Sequence, residues 1–116
     1  MEINVDRIIE VLEKDQLYLN PELDLYEFSK HLKIPVRTVS DLINKNLNIS
    51  FPALIQKYRL EFIICRIQEK PGEVKLQKLA KEAGFKSRIT FFNAFKKTTG
   101  LSPSEYIQNQ IKLLSP

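Results

Sequence analysis

The second half of this 116-residue chain repeats the first, and that constrains the fold more than any count of residue types. The pattern Phe28-Ser29-x-x-Leu32-x-Ile34 recurs fifty-one residues later as Leu79-Ala80-x-x-Ala83-x-Phe85. After one inserted residue the match resumes at an offset of fifty-two, pairing Val39 with Phe91, Leu42 with Ala94, Ile43 with Phe95, Lys45 with Lys97, Asn48 with Gly100, Ile49 with Leu101 and Ser50 with Ser102. Two copies are too few for a solenoid, which needs at least about three stacked repeats. The chain therefore holds two related units.

Each unit is helical by its spacing. Apolar residues recur at three- and four-residue steps, and no stretch alternates β-branched with polar residues as a strand would. The pattern predicts an all-α fold of about seven helices, two helix-turn-helix subdomains joined by a long linker helix. A first helix is expected over 5–14, with Ile8, Ile9, Val11 and Leu12 inward, and Asn20-Pro21 marks the loop after it. A short second helix spans 25–32. Pro35 breaks the pattern because it disfavours a helical residue before it, and a third helix restarts at Val36 and ends at Asn48 in a left-handed cap.

Ser50 caps a long fourth helix expected over 50–68, with Leu54, Ile55, Tyr58, Phe62 and Cys65 on its apolar face. At ~1.5 Å per residue such a helix is a rod of roughly 27 Å. Pro71-Gly72 ends that segment, a fifth helix runs over 76–83 to Gly84, and a sixth over 87–98 to Gly100. Ser102-Pro103-Ser104-Glu105 opens the last helix with an N-cap Ser, a Pro at N1 and a Glu at N3, the arrangement of a capping box, and fraying is expected before Pro116. The organisation expected is a lead-in over 1–19, a first unit over 20–49, a linker helix over 50–70 and a second unit with its terminal helix over 71–113.

Composition excludes most chemistry. One Cys and one His gather no ligands at metal-binding spacing, and neither sits in a nucleophile motif, so no metal, cofactor or catalytic residue is expected. No P-loop or dinucleotide fingerprint is present. The longest apolar stretch runs only from Phe62 to Cys65, against about 20 residues for a bilayer span, and the start lacks a signal peptide's layout. A soluble, reduced chain that is not an enzyme is the expectation. Charge adds a direction: residues 1–58 carry seven Lys/Arg against nine Asp/Glu, net −2, while residues 59–116 carry eleven against five, net +6, which sums to +4. A basic half suits a polyanion.

A short helix, a tight turn and a longer helix with a polar outer face form a helix-turn-helix, although plain packing hairpins share that geometry. Two such units joined by a rod can place two recognition helices about 34 Å apart, in successive major grooves of one duplex.

The run Leu79-Ala80-Lys81-Glu82-Ala83-Gly84-Phe85-Lys86-Ser87-Arg88, followed by Phe91, Phe95-Lys96-Lys97, Gly100 and Ser102-Pro103-Ser104-Glu105-Tyr106, closely resembles the signature of the AraC/XylS family of bacterial transcriptional regulators. Tyr58-Arg59-Leu60-Glu61 is similar to the start of that family's linker helix, and the resemblance covers about residues 20–110. Leu17-Tyr18-Leu19-Asn20-Pro21 and Leu42-Ile43-Asn44 are similar to regulators whose DNA-binding domain ends a larger sensor protein. The resemblance implies sequence-specific binding of double-stranded promoter or operator DNA. It also implies an N-terminal sensor or dimerisation region absent from this chain, RNA polymerase as a further partner, and a cytoplasmic, DNA-associated location unless the missing part carries a membrane anchor. The competing reading is a helical protein-interaction module that has lost DNA binding.

Carried over position by position, the resemblance places Val36, Arg37, Ser40, Asp41 and Asn44 on the first recognition helix. Arg37 suits a guanine edge, Ser40 and Asn44 a base or phosphate, and Asp41 either cytosine N4 or no base at all, as an acidic surface residue. On the second, Arg88 and Asn93 have groups for base readout, while Lys86, Lys96 and Lys97 suit phosphates. Ile89 and Phe92 stand where the family has small or polar residues. They can meet thymine methyl groups, or Phe92 can pack under the fold, and packing is the reading favoured for Phe92.

Core roles are expected for Phe91 and Phe95, four apart on one face, and for Tyr106 against them. Ile63 and Cys65 are expected in the core of the linker helix. The run Phe62-Ile63-Ile64-Cys65 leaves that turn no polar face, so it is either buried all round or offers a patch to a partner. His31 is expected to face solvent.

Overall fold

The computed structural model describes residues 4–114, and every regular element among them is helical. Seven α-helices follow in order, α1 (Val5–Lys14), α2 (Leu25–Leu32), α3 (Val36–Leu47), α4 (Phe51–Glu69), α5 (Leu76–Glu82), α6 (Arg88–Thr99) and α7 (Pro103–Leu114), with short 3-10 turns at Leu17–Leu19 and Pro71–Glu73. The chain divides into two compact units, one ending at Lys57 and one beginning at Tyr58, so α4 contributes to both. Ser115 and Pro116, where fraying was expected, lie outside the described residues.

Local chemistry sets the helix ends. The side chains of Asn4, Asp24 and Ser87 accept from Arg7, Glu27 and Thr90 backbone N–H groups, and Ser50 Oγ accepts from Ala53 N at 3.3 Å. These bonds satisfy donors that have no partner within the helix. At α7 the capping box is complete: Glu105 N donates to Ser102 Oγ at 3.2 Å and Ser102 N donates to Glu105 Oε1 at 3.1 Å. Those hydrogen bonds from Ser102, backbone first, hold the Glu105 carboxyl below the usual carboxylate range.

In the first unit the buried side chains are Ile8 and Leu12 of α1, Phe28 of α2, Val39 and Ile43 of α3, and Phe51, Leu54 and Ile55 from the start of α4. Ile9 and Val11, expected inward, are only half-buried. Phe28 stacks on Phe51 with ring centroids 5.4 Å apart. His31 is exposed, as expected, with Nε2 3.8 Å from an Asp15 carboxylate oxygen.

The second unit is built on Leu60, Ile63 and Ile67 of α4, Leu79 and Ala80 of α5, Ala83, Phe85, and Phe91 and Phe95 of α6. Aromatic rings run in a chain from Phe85 to Phe91 (5.4 Å), to Phe95 (5.9 Å) and to Tyr106 (5.4 Å), the last two pairs edge to face. Such pairs contribute about 0.5–1.5 kcal/mol each beyond area burial. Tyr106 Oη also accepts from Gln68 Nε2 at 3.1 Å, tying α7 to the end of α4. Arg59 lies with its guanidinium 5.9 Å from the Phe85 ring centre, and burial lowers its pKa.

The expected inward face of α4 needs correction. Ile63 is fully buried, but Cys65 is exposed. The buried positions do not form one stripe: Phe51, Leu54 and Ile55 serve the first unit, whereas Leu60, Ile63 and Ile67 serve the second. A helix shared by two cores has no reason to keep one inward face. Phe62 is half-buried and carries the Arg66 guanidinium 4.9 Å from its ring centre, so the Phe62 to Cys65 run mixes buried Ile63, half-buried Phe62 and Ile64, and exposed Cys65.

Candidate nucleic-acid interface

The turn between α2 and α3 and the turn between α5 and α6 share one geometry. Lys33 (φ 59°) donates its N–H to Lys30 O at 3.2 Å, and the next residue, Ile34, donates to Ser29 O at 3.1 Å. Fifty-one residues on, Gly84 (φ 97°) donates to Lys81 O at 3.0 Å and Phe85 to Ala80 O at 3.0 Å. Each pair of bonds closes the preceding helix as a left-handed cap. The inserted residue falls just after this turn: Pro35 alone precedes α3, while Lys86 and Ser87 precede α6. The second helices then end alike, on Asn48 (φ 54°) and Gly100 (φ 80°).

Burial of one face fixes what each second helix presents. Val39 and Ile43, four apart, are fully buried in α3, which turns Arg37, Asp41 and Asn44 outward and leaves Ser40 half-buried beside them. Val36, at the helix start, is 39% exposed. Asn44 Nδ2 donates to Ser40 Oγ at 3.4 Å, which couples two of the candidate readers. In α6, Phe91 and Phe95 are the inward pair, and Arg88, Ile89, Phe92, Asn93, Lys96 and Lys97 are exposed. Lys86 is exposed just before that helix.

At the offset of fifty-two the two faces correspond position by position: Val36 with Arg88, Arg37 with Ile89, Ser40 with Phe92, Asp41 with Asn93, and Asn44 with Lys96. The same stripe is thus used twice with different chemistry. The α3 face mixes Arg37 and Lys45 with Asp41, whereas no acidic residue occurs between 83 and 104, so the α6 face is uniformly cationic or neutral. Positive potential is concentrated on the second unit.

Phe92 departs from the packing expected of it. It is 42% exposed, and Ile89 is 71% exposed, because Phe91 and Phe95 already fill the inward face. Phe92 and Ile89 instead edge an open groove of ≈ 630 Å³ that Leu76, Ala80, Lys81 and Lys86 also line. The sequence pattern also passed over Lys45, exposed on α3 and paired by the repeat with Lys97, and the exposed Thr38 and Thr90, which occupy equivalent positions. The repeat itself carried the signal for Lys45 through its match to Lys97.

A family profile described as a helix-turn-helix domain matches residues 28–109. The chain is similar to the TCP pilus virulence regulatory protein of Vibrio cholerae, 33% identical over 75 residues, a stretch that is 62% of this chain and 26% of that regulator. It thus spans about a quarter of that relative's length. It is also similar to the C-terminal domain of AraT, a response regulator from Geobacillus stearothermophilus (TM-score 0.75, 27% identity, 90% of this chain and 84% of that one). The C-terminal domain of the two-component response regulator yesN from Fusobacterium nucleatum shares the fold (TM-score 0.74, 22% identity, 89% of this chain and 96% of that one). No helix among the described residues is long and apolar enough to cross a membrane.

Proposed function

Since the chain belongs to the AraC-type family of helix-turn-helix, DNA-binding transcriptional regulators, we propose that it binds a bipartite duplex site sequence-specifically, with α3 and α6 each reading one major groove. The observation that carries this reading is the doubled turn: two helices of twelve residues, each held by the same left-handed cap and each anchored by two buried residues four apart. That leaves one face of each helix exposed, polar on α3 and mixed polar and apolar on α6, to enter a groove about 12 Å wide.

Roles follow from the groups on each stripe. Arg37 and Arg88 present two-pronged donors suited to guanine O6 and N7, and Asn93 matches the donor and acceptor of adenine. Ser40 and Asn44 act as a hydrogen-bonded pair on α3. Lys86, Lys96 and Lys97 neutralise phosphates and fix the register of α6, and Lys45 does the same for α3. Asp41 accepts from cytosine N4 and keeps α3 from clinging to every sequence alike. Val36 makes an apolar contact at the first turn of α3. In the intact regulator an N-terminal sensor or dimerisation region controls occupancy of the site, and RNA polymerase is the downstream partner.

Selection of the purified chain against a pool of random duplexes at near-physiological salt tests the proposal. Enrichment of two short submotifs about one helical turn apart is the expected outcome. Binding without enrichment, or none at all, overturns sequence-specific two-groove reading.

A further inference from the structure

Scattered single apolar residues on a surface are ordinary. Ile89 and Phe92 are not scattered: they lie three residues apart near the start of α6, Ile89 71% exposed and Phe92 42% exposed at the margin of the buried face, at the positions that Arg37 and Ser40 fill on α3. Phe91 and Phe95 fill the inward face, and Phe92 beside them remains exposed. The residues around the pair are Arg88, Asn93 and Lys96 on the same helix and Lys86 just before it; no acidic residue occurs from 83 to 104, and Glu105 lies near enough to Lys96 to interact with its charge. An apolar protein interface is depleted of lysine at its centre, so this setting fits a polyanion that also offers small apolar groups. The major groove of A·T-rich DNA does so, because each thymine projects a C5-methyl group beside the phosphate rows.

Resting on the DNA-binding reading above, we propose that Ile89 and Phe92 read thymine methyl groups, so that the half-site entered by α6 is specified by methyls as well as hydrogen bonds. The two side chains are separated by about 4.5 Å of helix rise, which spans one to two base-pair steps. Arg88 and Asn93 flank them and supply the polar contacts to neighbouring bases. The α3 half-site, faced by Arg37 and Ser40 at the same positions, lacks this dependence.

The experiment takes the duplex enriched by selection and replaces its thymines one at a time with deoxyuridine, which removes only the methyl. Affinity should fall roughly three- to fivefold at one or two thymines of the half-site whose preference depends on Arg88, the loss expected from one unburied methyl. Ile89→Ala, at a position 71% exposed and so without consequence for folding, should abolish the difference between thymine and uracil at one of those positions while leaving the salt dependence unchanged. Phe92→Ala should do the same at the other. A duplex that binds tightly yet is indifferent to every uracil, or a methyl effect that survives both substitutions, overturns this inference and leaves DNA binding standing. Failure to bind any duplex overturns both readings.

Discussion

Lys33 and Gly84, fifty-one residues apart, hold the same left-handed turn, at φ 59° and 97°, and each makes the same backbone bond to the residue three before it. Only one of them is chemically suited to it. A side chain in this region costs roughly 1–2 kcal/mol, whereas glycine visits it freely but loses more chain entropy on folding.

The balance predicts that Lys33→Gly stabilises the first unit by about 0.5–1 kcal/mol, and that Gly84→Ala destabilises the second by at least about 1 kcal/mol. Urea unfolding of the two variants checks both signs. A destabilised Lys33→Gly would mean that the lysine side chain has a compensating role.

The residue beneath that turn makes a second comparison. Ser29 is 1% exposed and its hydroxyl has no hydrogen-bond partner, while the equivalent position in the other unit is Ala80. A buried hydroxyl left unpaired costs on the order of 1–3 kcal/mol. Ser29→Ala should therefore raise stability by about 1 kcal/mol, measurable as a higher urea midpoint with unchanged slope. A lower midpoint would show that a buried water or a shifted rotamer satisfies the hydroxyl.

These two positions also show what was legible in the sequence. The repeat and the caps are local signals, so Asn48, Ser50, Gly84, Ser87, Gly100 and the Ser102–Glu105 box mark helix ends that the structure reproduces within a residue or two. The inward face of α4 was not legible, because hydrophobic periodicity assumes one partner per helix and this one has two. Cys65 therefore falls on the exposed side while Ile67, outside the expected stripe, is fully buried. Phe92 misled for a related reason: an aromatic residue next to two core phenylalanines reads as core, and only the burial of Phe91 and Phe95 shows that the inward face is already full. The strained turn at Lys33 carries no glycine to announce it.

The Glu105 carboxyl makes the last helix sensitive to acid. Its pKa is lowered chiefly by the hydrogen bond from the Ser102 backbone, so its charged form is favoured in the folded chain. A group of this kind contributes stability above its unfolded pKa, about 4.3, and loses that contribution as pH falls through the lower folded value. Urea midpoints of the native chain and of Glu105→Gln, measured from pH 3 to 7, should differ at neutral pH and converge in acid. Parallel curves would remove the capping carboxylate from the pH response.

The division of labour between α3 and α6 gives the most direct test of the interface. In the proposed reading Arg88, at the first turn of α6, meets a base edge, and Lys96, two turns on, meets a phosphate. Arg88→Ala should cost ~1–3 kcal/mol on the preferred duplex and much less on others, relaxing preference at one base position. Lys96→Ala should weaken all duplexes alike and reduce the slope of log affinity against log salt by about 0.9. The concentration of cations on the second unit adds an asymmetry: Lys45→Ala on α3, where Asp41 already offsets one positive charge, should change affinity less than Lys97→Ala at the equivalent position of α6. Titrations of the four variants against two unrelated duplexes at three salt concentrations separate these effects. If Arg88→Ala and Lys96→Ala weaken every sequence equally, both residues are phosphate contacts and base readout on α6 passes to Asn93 and its apolar neighbours.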